Sequence, residues 1–168
     1  DFDVTIKTSG KIDVPPQNRA QVTTFIGGYV KSTKLLVGDK VNKGQALVTL
    51  ESAEYLDVQK DYLEVAEQIK YLKSEYERQK TLFDEKISSQ KNYLKSESDY
   101  RKTKGMYQSL REKLLLLKIN PANVEKGKLT STVTISSPIS GDIVIMNANV
   151  GMYIAPSDVI LEIVDTQH

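Results

Sequence analysis

The chain has 168 residues, of which 39% are hydrophobic and 27% are charged, a balance typical of a globular domain. Its 23 lysines and arginines are offset by 22 aspartates and glutamates, and the resulting net charge of +1 gives no support for a nucleic-acid-binding role. Cysteine is absent and His168 is the single histidine, so we expect no catalytic triad, no metal site of Cys/His ligands and no enzymatic activity.

Residues 1–52 form the first of three zones and are rich in Val, Ile, Thr and Gly. Short alternations such as Val4-Thr5-Ile6-Lys7-Thr8 predict strands joined by turns. We expect an N-terminal strand in residues 1–19 and half of a β domain in residues 20–52. The start of the chain is polar and no apolar run approaches the ~20 residues that span a bilayer. The sequence therefore predicts either a cytoplasmic protein or one without its export signal.

Residues 53–118 contain no proline and one glycine, Gly105, and are dense in Glu, Lys, Gln, Tyr and Leu, which predicts helix. Two series of residues repeat there with alternating steps of four and three, the spacing of a heptad seam. The first series is Val58, Tyr62, Val65, Ile69, Leu72, Tyr76, Gln79 and Phe83, and the second is Tyr93, Ser96, Tyr100, Thr103, Tyr107, Leu110, Leu114 and Leu117. Paired in reverse order, their residue numbers sum to 175 or 176, which predicts two antiparallel helices folded about residue 88.

The predicted turn of this hairpin is the polar segment 84–89, in which Ser88 or Ser89 can cap the second helix. Asn120-Pro121 is expected to end that helix. The residues flanking the seam are mostly charged, so each helix has one narrow apolar stripe, which it uses on the other helix. We therefore expect a rod on the order of 45 Å long that projects into solvent.

The last zone returns to Gly, Pro, Val and Ile, with a linker expected in residues 119–133 and strands in residues 134–166. A shift of 113 positions superposes residues 26–50 on this zone without a gap. The matched pairs include Ile26/Ile139, Gly28/Gly141, Val30/Ile143, Val37/Val150, Gly38/Gly151, Val41/Ile154, Leu47/Ile160 and Leu50/Ile163. The order of zones thus predicts a duplicated β domain that is interrupted by a helical insertion.

The two matched segments, residues 28–45 and 137–151, resemble the halves of a biotinyl/lipoyl domain. In those carriers a tight hairpin joins the halves and presents the modified lysine. Here the helical rod follows Ser52, and no lysine occupies the expected place at Ala53-Glu54. We therefore expect no covalent cofactor, and we predict an α+β fold in which a split lipoyl-type β domain carries an antiparallel coiled-coil hairpin.

This architecture resembles the membrane fusion proteins, the periplasmic adaptors of tripartite efflux pumps. The resemblance implies an outer-membrane channel bound at the hairpin tip and a ring of identical copies. It also implies an inner-membrane transporter bound through a barrel and a membrane-proximal domain, from which residues 1–19 would lead. The implied location is the periplasm, with the full-length protein anchored to the inner membrane. The family's tip pattern is matched by Arg78, Leu82 and Ser89, although a solvated arginine and a helix cap would also fit this spacing.

Within this family, residues 114–121 and 137–141 look closest to the heavy-metal cation branch. A type I secretion or macrolide-type adaptor is the alternative within the family. A lipoyl or biotin carrier and a structural coiled-coil protein are the alternatives from other classes. The methionines Met106, Met146 and Met152 are scattered in the sequence, and we interpret them as packing residues rather than metal ligands.

Overall fold

The computed structural model describes residues 18–165, so the predicted N-terminal strand (1–19) falls outside the described residues except at its end. The strands in chain order are β1 (Arg19–Val22), β2 (Gly28–Ser32), β3 (Lys40–Val41), β4 (Ala46–Glu51), β5 (Thr132–Ser136), β6 (Gly141–Met146), β7 (Tyr153–Ile154) and β8 (Leu161–Val164). The helices are α1 (Ala53–Asp84), α2 (Gln90–Leu116) and α3 (Pro121–Glu125). Two long helices thus separate two sets of four short strands, and the predicted α+β fold is confirmed.

The strands form two antiparallel four-stranded sheets, in the orders β1-β8-β6-β3 and β5-β4-β2-β7. Each sheet contains strands from both sides of the helical insertion, so neither half of the β domain makes a complete sheet alone. The two sheets enclose a core of aliphatic side chains that are almost fully buried. Its members include Val30, Val48, Leu50, Ile143, Ile154, Ile160, Leu161 and Ile163. Burial of each such side chain contributes about 1.5–3 kcal/mol to stability.

The sequence repeat corresponds to a pseudo-two-fold axis that relates the two sheets. The shift of 113 residues carries β1 to β4 onto β5 to β8, and it converts the strand order of one sheet into that of the other. The hydrogen bonds between the halves are reciprocal under the same shift. The Gly38 amide donates to the Ile143 carbonyl at 2.8 Å, and the Gly151 amide donates to the Val30 carbonyl at 2.9 Å. The repeat therefore includes β1 and β5, which the matched sequence segments did not reach.

The repeated glycines serve two purposes in this domain. Gly38 and Gly151 have φ angles of +97° and +89°, the left-handed region that side chains with a Cβ rarely adopt. Gly141 instead allows a close approach of strands, because a Cβ there would lie 2.2 Å from the Val164 carbonyl oxygen. The glycines that recur in the repeat thus lie at turns or at close contacts of strands.

The insertion is a hairpin of two antiparallel helices of 32 and 27 residues. The Ser52 hydroxyl accepts from the Glu54 amide at the start of α1, and the Ser89 hydroxyl accepts from the Asn92 amide at the start of α2. Between the two possible caps predicted for α2, the structure therefore selects Ser89. At 1.5 Å per residue, α1 is about 48 Å long. Among residues 18–165, no helix combines the length and the apolar character needed to cross a membrane.

The segment predicted as a linker contains α3 and the first residues of β5. The expectation that Asn120-Pro121 ends the second helix is wrong, because α2 already ends at Leu116 and Lys118 has a φ angle of +62°. Asn120 instead caps α3 by accepting from the Ala122 amide at 2.9 Å, and Pro121 occupies the first turn of α3. A proline at the first turn of a helix has no amide hydrogen bond to lose, so it favours a new helix there.

Candidate functional site: the tip of the hairpin

The two helices are joined by a tight turn in residues 85–89, at the end of the rod that is farthest from the β domain. Lys86 adopts a φ angle of +63° in this turn. The amides of Ile87 and Ser88 both donate to the Leu82 carbonyl, at 2.8 Å and 3.2 Å. These bonds use a carbonyl that the end of α1 would otherwise leave unpaired. The backbone of the turn therefore contributes to holding its shape.

Arg78 lies on the exposed surface of α1, a little less than two turns before the helix ends. Its guanidinium donates to the Glu75 carboxylate through two nitrogens, at 2.7 Å and 3.0 Å. The hydrogen bond from Arg78, assisted by one from Gln79, holds the pKa of Glu75 below its usual value. The pair is solvated, and such surface pairs are worth little, so Arg78 can exchange Glu75 for another acceptor at small cost.

Leu82 follows Arg78 by four residues and therefore lies on the same side of α1. Its side chain is half-buried, so only part of it is available to a partner. Ser89 is exposed, but its oxygen already accepts from the Asn92 amide at 3.1 Å. The hydroxyl hydrogen of Ser89 remains free to donate. The three predicted residues thus lie in the last turns of the rod. Arg78 and Ser89 already make one set of hydrogen bonds there, and Leu82 is partly buried.

Ile87 is the tip residue that the sequence reasoning missed. Its side chain is 70% exposed at the apex of the turn, where no element within residues 18–165 covers it. The signal was present in the sequence as a single apolar residue within the polar segment 84–89. An apolar side chain held at the end of a rod loses little surface to its own chain and gains most from burial against another molecule.

An aromatic ladder runs along the seam beneath the tip. The Phe83 and Tyr93 rings stack at 5.1 Å, and the Tyr76 ring stacks on Tyr93 at 6.0 Å and on Tyr100 at 5.4 Å. These contacts confirm the predicted pairs Phe83/Tyr93 and Tyr76/Tyr100. Stacked rings contribute about 0.5–1.5 kcal/mol per pair beyond their buried area. The ladder therefore supports the end of the rod, where buried aliphatic residues are scarce.

The polar pair predicted in the same region, Gln79 with Ser96, does not form a hydrogen bond. The Gln79 side-chain carbonyl accepts instead from the Ser88 hydroxyl, which ties the turn to α1. The Ser96 hydroxyl donates to the Tyr93 carbonyl of its own helix at 2.7 Å. A serine hydroxyl within a helix readily donates to a carbonyl three or four residues earlier. Here this local bond forms in place of a hydrogen bond between Ser96 and Gln79.

The base of the rod is fastened to the β domain by buried polar groups. Gln59 is fully buried, and its amide nitrogen donates to the carbonyls of Tyr55 and Thr130 at 2.6 Å and 2.7 Å. Its oxygen accepts from the Thr130 amide at 2.9 Å. The Tyr55 hydroxyl donates to the Ile26 carbonyl at 3.0 Å, and burial raises the pKa of Tyr55 to about 12. These bonds connect α1 to the segment between β1 and β2 and to the segment that enters β5.

Tyr62 was predicted to face Leu114, but its ring stacks on Tyr107 at 5.3 Å. Its hydroxyl donates to the Glu125 carboxylate of α3 at 2.9 Å and lies within hydrogen-bond distance of the Tyr107 hydroxyl, at 3.2 Å. Burial, together with these two hydrogen bonds, raises the pKa of Tyr62 well above its usual value. A buried phenol needs polar partners, and Tyr107 and Glu125 supply them whereas a leucine cannot.

Neither a metal centre nor a carrier lysine is evident in residues 18–165. No cluster of three or more His, Cys, Asp and Glu side chains is arranged there to hold a metal ion. The position at which a carrier domain would present its lysine is the start of α1, at Ala53 and Glu54.

Known proteins share this architecture. Residues 18–165 match the family model described as the CzcB-like, barrel-sandwich hybrid domain. The cobalt-zinc-cadmium resistance protein CzcB of Cupriavidus metallidurans is 25% identical over 109 residues, which is 65% of this chain and 21% of that protein. The chain thus spans about a fifth of the length of this curated relative.

Solved structures of related fold agree with this match. The crystal structure of ZneB from Cupriavidus metallidurans superposes with a TM-score of 0.58 at 22% identity, over 92% of this chain and 63% of that one. A MacA-MexA chimeric protein containing the Pseudomonas aeruginosa MexA α-hairpin domain gives a TM-score of 0.63 at 19% identity, over 88% of this chain and 48% of that one. At these identities the structures show that the fold is shared.

Proposed function

Because the chain belongs to the family of CzcB-like barrel-sandwich hybrid domains, we propose that it is the hairpin-bearing part of a periplasmic adaptor of an efflux pump. In this role it performs no chemistry and connects an inner-membrane transporter to an outer-membrane channel. The observation that carries the proposal is the rod itself. Its seam is closed by its own side chains, its base is fastened by Gln59 and Tyr62, and its apex presents the exposed Ile87.

The tip suits an end-on contact with a helical partner. Ile87 and part of Leu82 supply apolar surface. Arg78 can donate to carbonyls at the C-terminal end of a partner helix, which carry partial negative charge. Ser89 can donate one further hydrogen bond. A contact of this size is weak alone, since interfaces below about 1,200 Å² are usually transient. Several copies in a ring, held to the inner membrane and to the transporter by further domains, would strengthen the contact through multivalency.

The exported substrate in this proposal is a divalent transition-metal cation. Support comes from the name of the curated relative, which is a cobalt-zinc-cadmium resistance protein. In an adaptor, the transporter selects the cation and the adaptor provides the connection. A cell that depends on the full-length adaptor should therefore become sensitive to such cations when the tip fails.

The test is metal resistance in a strain that lacks its own adaptor and carries the full-length gene. Arg78→Asp, Leu82→Asp and Ile87→Asp should each lower resistance to that of the empty strain, because they place a carboxylate at the contact. Lys60→Asp is the matched control, since Lys60 is exposed on α1 near the base, opposite the seam. Immunoblots should show equal amounts of all variants. Normal resistance in all three tip variants would refute the docking role of the tip.

A further inference from the structure

Gln79 occupies a position of the α1 seam at which an apolar residue would be expected. The other seam positions of this helix are held by Val, Ile, Leu, Tyr and Phe. Gln79 is half-buried there, and Ser96 across the seam bonds to a carbonyl of its own helix. A polar side chain at a seam position contributes less to the packing of two helices than an apolar one does. The hydrogen bonds of Gln79 are therefore the feature that needs an explanation.

The hydrogen bonds of Gln79 run in one direction. Its amide nitrogen lies 3.1 Å from the Glu75 carboxylate, which can only accept, so the nitrogen donates. The amide oxygen consequently faces Ser88, and the Ser88 hydroxyl donates to it. The same Glu75 carboxylate accepts two hydrogen bonds from the Arg78 guanidinium. A chain of hydrogen bonds thus leads from the turn through Gln79 and Glu75 to Arg78, and we call it the tip network.

The turn is attached to α1 at two places. The amides of Ile87 and Ser88 donate to the Leu82 carbonyl, and the Ser88 side chain adds the bond to Gln79, about one turn farther from the end of the helix. Before Ile87 in the chain, Lys86 has a φ angle of +63°, which is unfavourable for a residue with a side chain. Such a backbone persists only where surrounding contacts hold it. The bond from Ser88 to Gln79 is one of these contacts.

Docking needs the apolar and the charged parts of the tip in a fixed relation. Ile87 belongs to the turn and Arg78 to the helix, so their relative position depends on how the turn is attached. Both parts are joined to the Glu75 carboxylate, Arg78 directly and the turn through Gln79. In a ring, symmetry sets where each tip must meet its partner. A tip that samples several conformations loses entropy at each contact, and multivalency multiplies this loss.

We propose that Gln79 and Ser88 are positioning residues for docking, because their hydrogen bond holds the turn in one conformation. Glu75 connects the turn held in this way to Arg78. The inference rests on the proposed docking role of the tip and names residues that support it without touching the partner. It also gives the neighbouring serines different roles. The Ser88 hydroxyl hydrogen is used within the hairpin, whereas that of Ser89 remains free to donate.

Photo-cross-linking in intact cells measures the docking. Full-length protein with p-benzoylphenylalanine in place of the exposed Gln90 should form an adduct with the epitope-tagged outer-membrane channel of the strain. Gln79→Leu and Ser88→Ala should each lower the yield of this adduct about two- to tenfold, the effect of one net hydrogen bond, and the double variant should lower it no further. Ser96→Ala is the matched control, since its hydroxyl donates within α2, and it should leave the yield unchanged.

Stability and rescue separate positioning from a general structural role. Gln79→Leu places an apolar residue in the seam, so the Tm of this chain should stay equal or rise while the adduct decreases. The exchange of Glu75→Gln with Gln79→Glu preserves the net charge, the donor–acceptor pair between positions 75 and 79, and an acceptor for Ser88. This exchange should restore the adduct, because only the exposed ion pair of Arg78 is lost, and such a pair is worth little.

The inference would be overturned by a normal adduct yield in Gln79→Leu or Ser88→Ala, by additive losses in the double variant, or by an equal loss in Ser96→Ala. It would also be overturned if the exchange failed to restore the adduct, or if Gln79→Leu lost stability together with docking. Arg78→Asp distinguishes these results from failure of the docking role. An adduct that survives Arg78→Asp, or no adduct in the protein without these variants, would refute the docking role and the inference with it.

Discussion

Two alanine substitutions for glycine should change the stability of this protein in opposite directions. At Gly141 the new Cβ would lie 2.2 Å from the Val164 carbonyl oxygen and 2.7 Å from its carbonyl carbon. Both are backbone atoms of β8, so the strands must separate to admit the methyl group. At Gly105 the new Cβ meets no atom of the described residues within 4 Å, and the helix gains a better helix former. The same chemical change is thus made at a crowded site and at an open one.

The magnitudes follow from these two environments. Overpacking of a close contact costs typically about 1–3 kcal/mol, and the rigid neighbours place Gly141→Ala at the upper end, about 2–3 kcal/mol. The helical substitution Gly105→Ala should raise the free energy of unfolding by about 1 kcal/mol. For a chain of this length, 1 kcal/mol shifts Tm by about 2–4 °C. We therefore expect a decrease of about 4–12 °C for Gly141→Ala and an increase of about 2–4 °C for Gly105→Ala.

Thermal and urea unfolding followed by circular dichroism measure both effects on the same preparation. The m-value should stay unchanged, so that the midpoints report stability. A Tm for Gly141→Ala within 1–2 °C of the unsubstituted protein, a difference of only about 0.5 kcal/mol, would refute the account of the β6–β8 contact. A loss of stability in Gly105→Ala would show that the glycine serves the folded hairpin itself.

Three further results are expected. Gly38→Val should destabilise by about 1–2 kcal/mol through its positive φ angle alone, and Gly38→Asn should destabilise less, as measured by urea unfolding. Gln59→Leu should cost about 1–3 kcal/mol because it leaves the Thr130 amide unpaired, whereas Gln68→Leu on the exposed surface should be close to neutral. Hydrogen exchange should be faster in residues 78–96 than in 58–70 and 107–117, since most buried helical residues lie near the base; equal protection along the rod would contradict this reasoning.

The seam of the hairpin could be predicted from the sequence because heptad spacing is a local property. Two ring pairs, Tyr76/Tyr100 and Phe83/Tyr93, form as the spacing indicates. The contacts of the polar seam residues depend on hydrogen bonding as well as on spacing. Tyr62 bonds to Glu125 in α3, and Gln79 bonds to Ser88 in the turn. The periodicity of apolar residues contains no information about such choices.

At the tip, too, the spacing of residues could be predicted from the sequence, whereas their contacts could not. The spacing of Arg78, Leu82 and Ser89 could be read from the sequence, as could the approximate turn. The pairing of Arg78 with Glu75 and the half-burial of Leu82 depend on which side chains surround them in the folded hairpin. Ile87 was overlooked because an apolar residue in a turn carries no periodic signal, and only its 70% exposure identifies it as the apex.

The sequence by itself determined that this protein has two repeated halves and a long antiparallel insertion, because repeats and helical periods are written along the chain. Only the tertiary structure decided that the halves intertwine, so that each sheet takes strands from both. It also decided where the rod is fastened, through Gln59 and Thr130, whose bond connects residues 71 positions apart. The physical reason is that a hydrogen bond between distant segments depends on which donor and acceptor groups the fold brings near each other. That choice is made by the packing of the core as a whole.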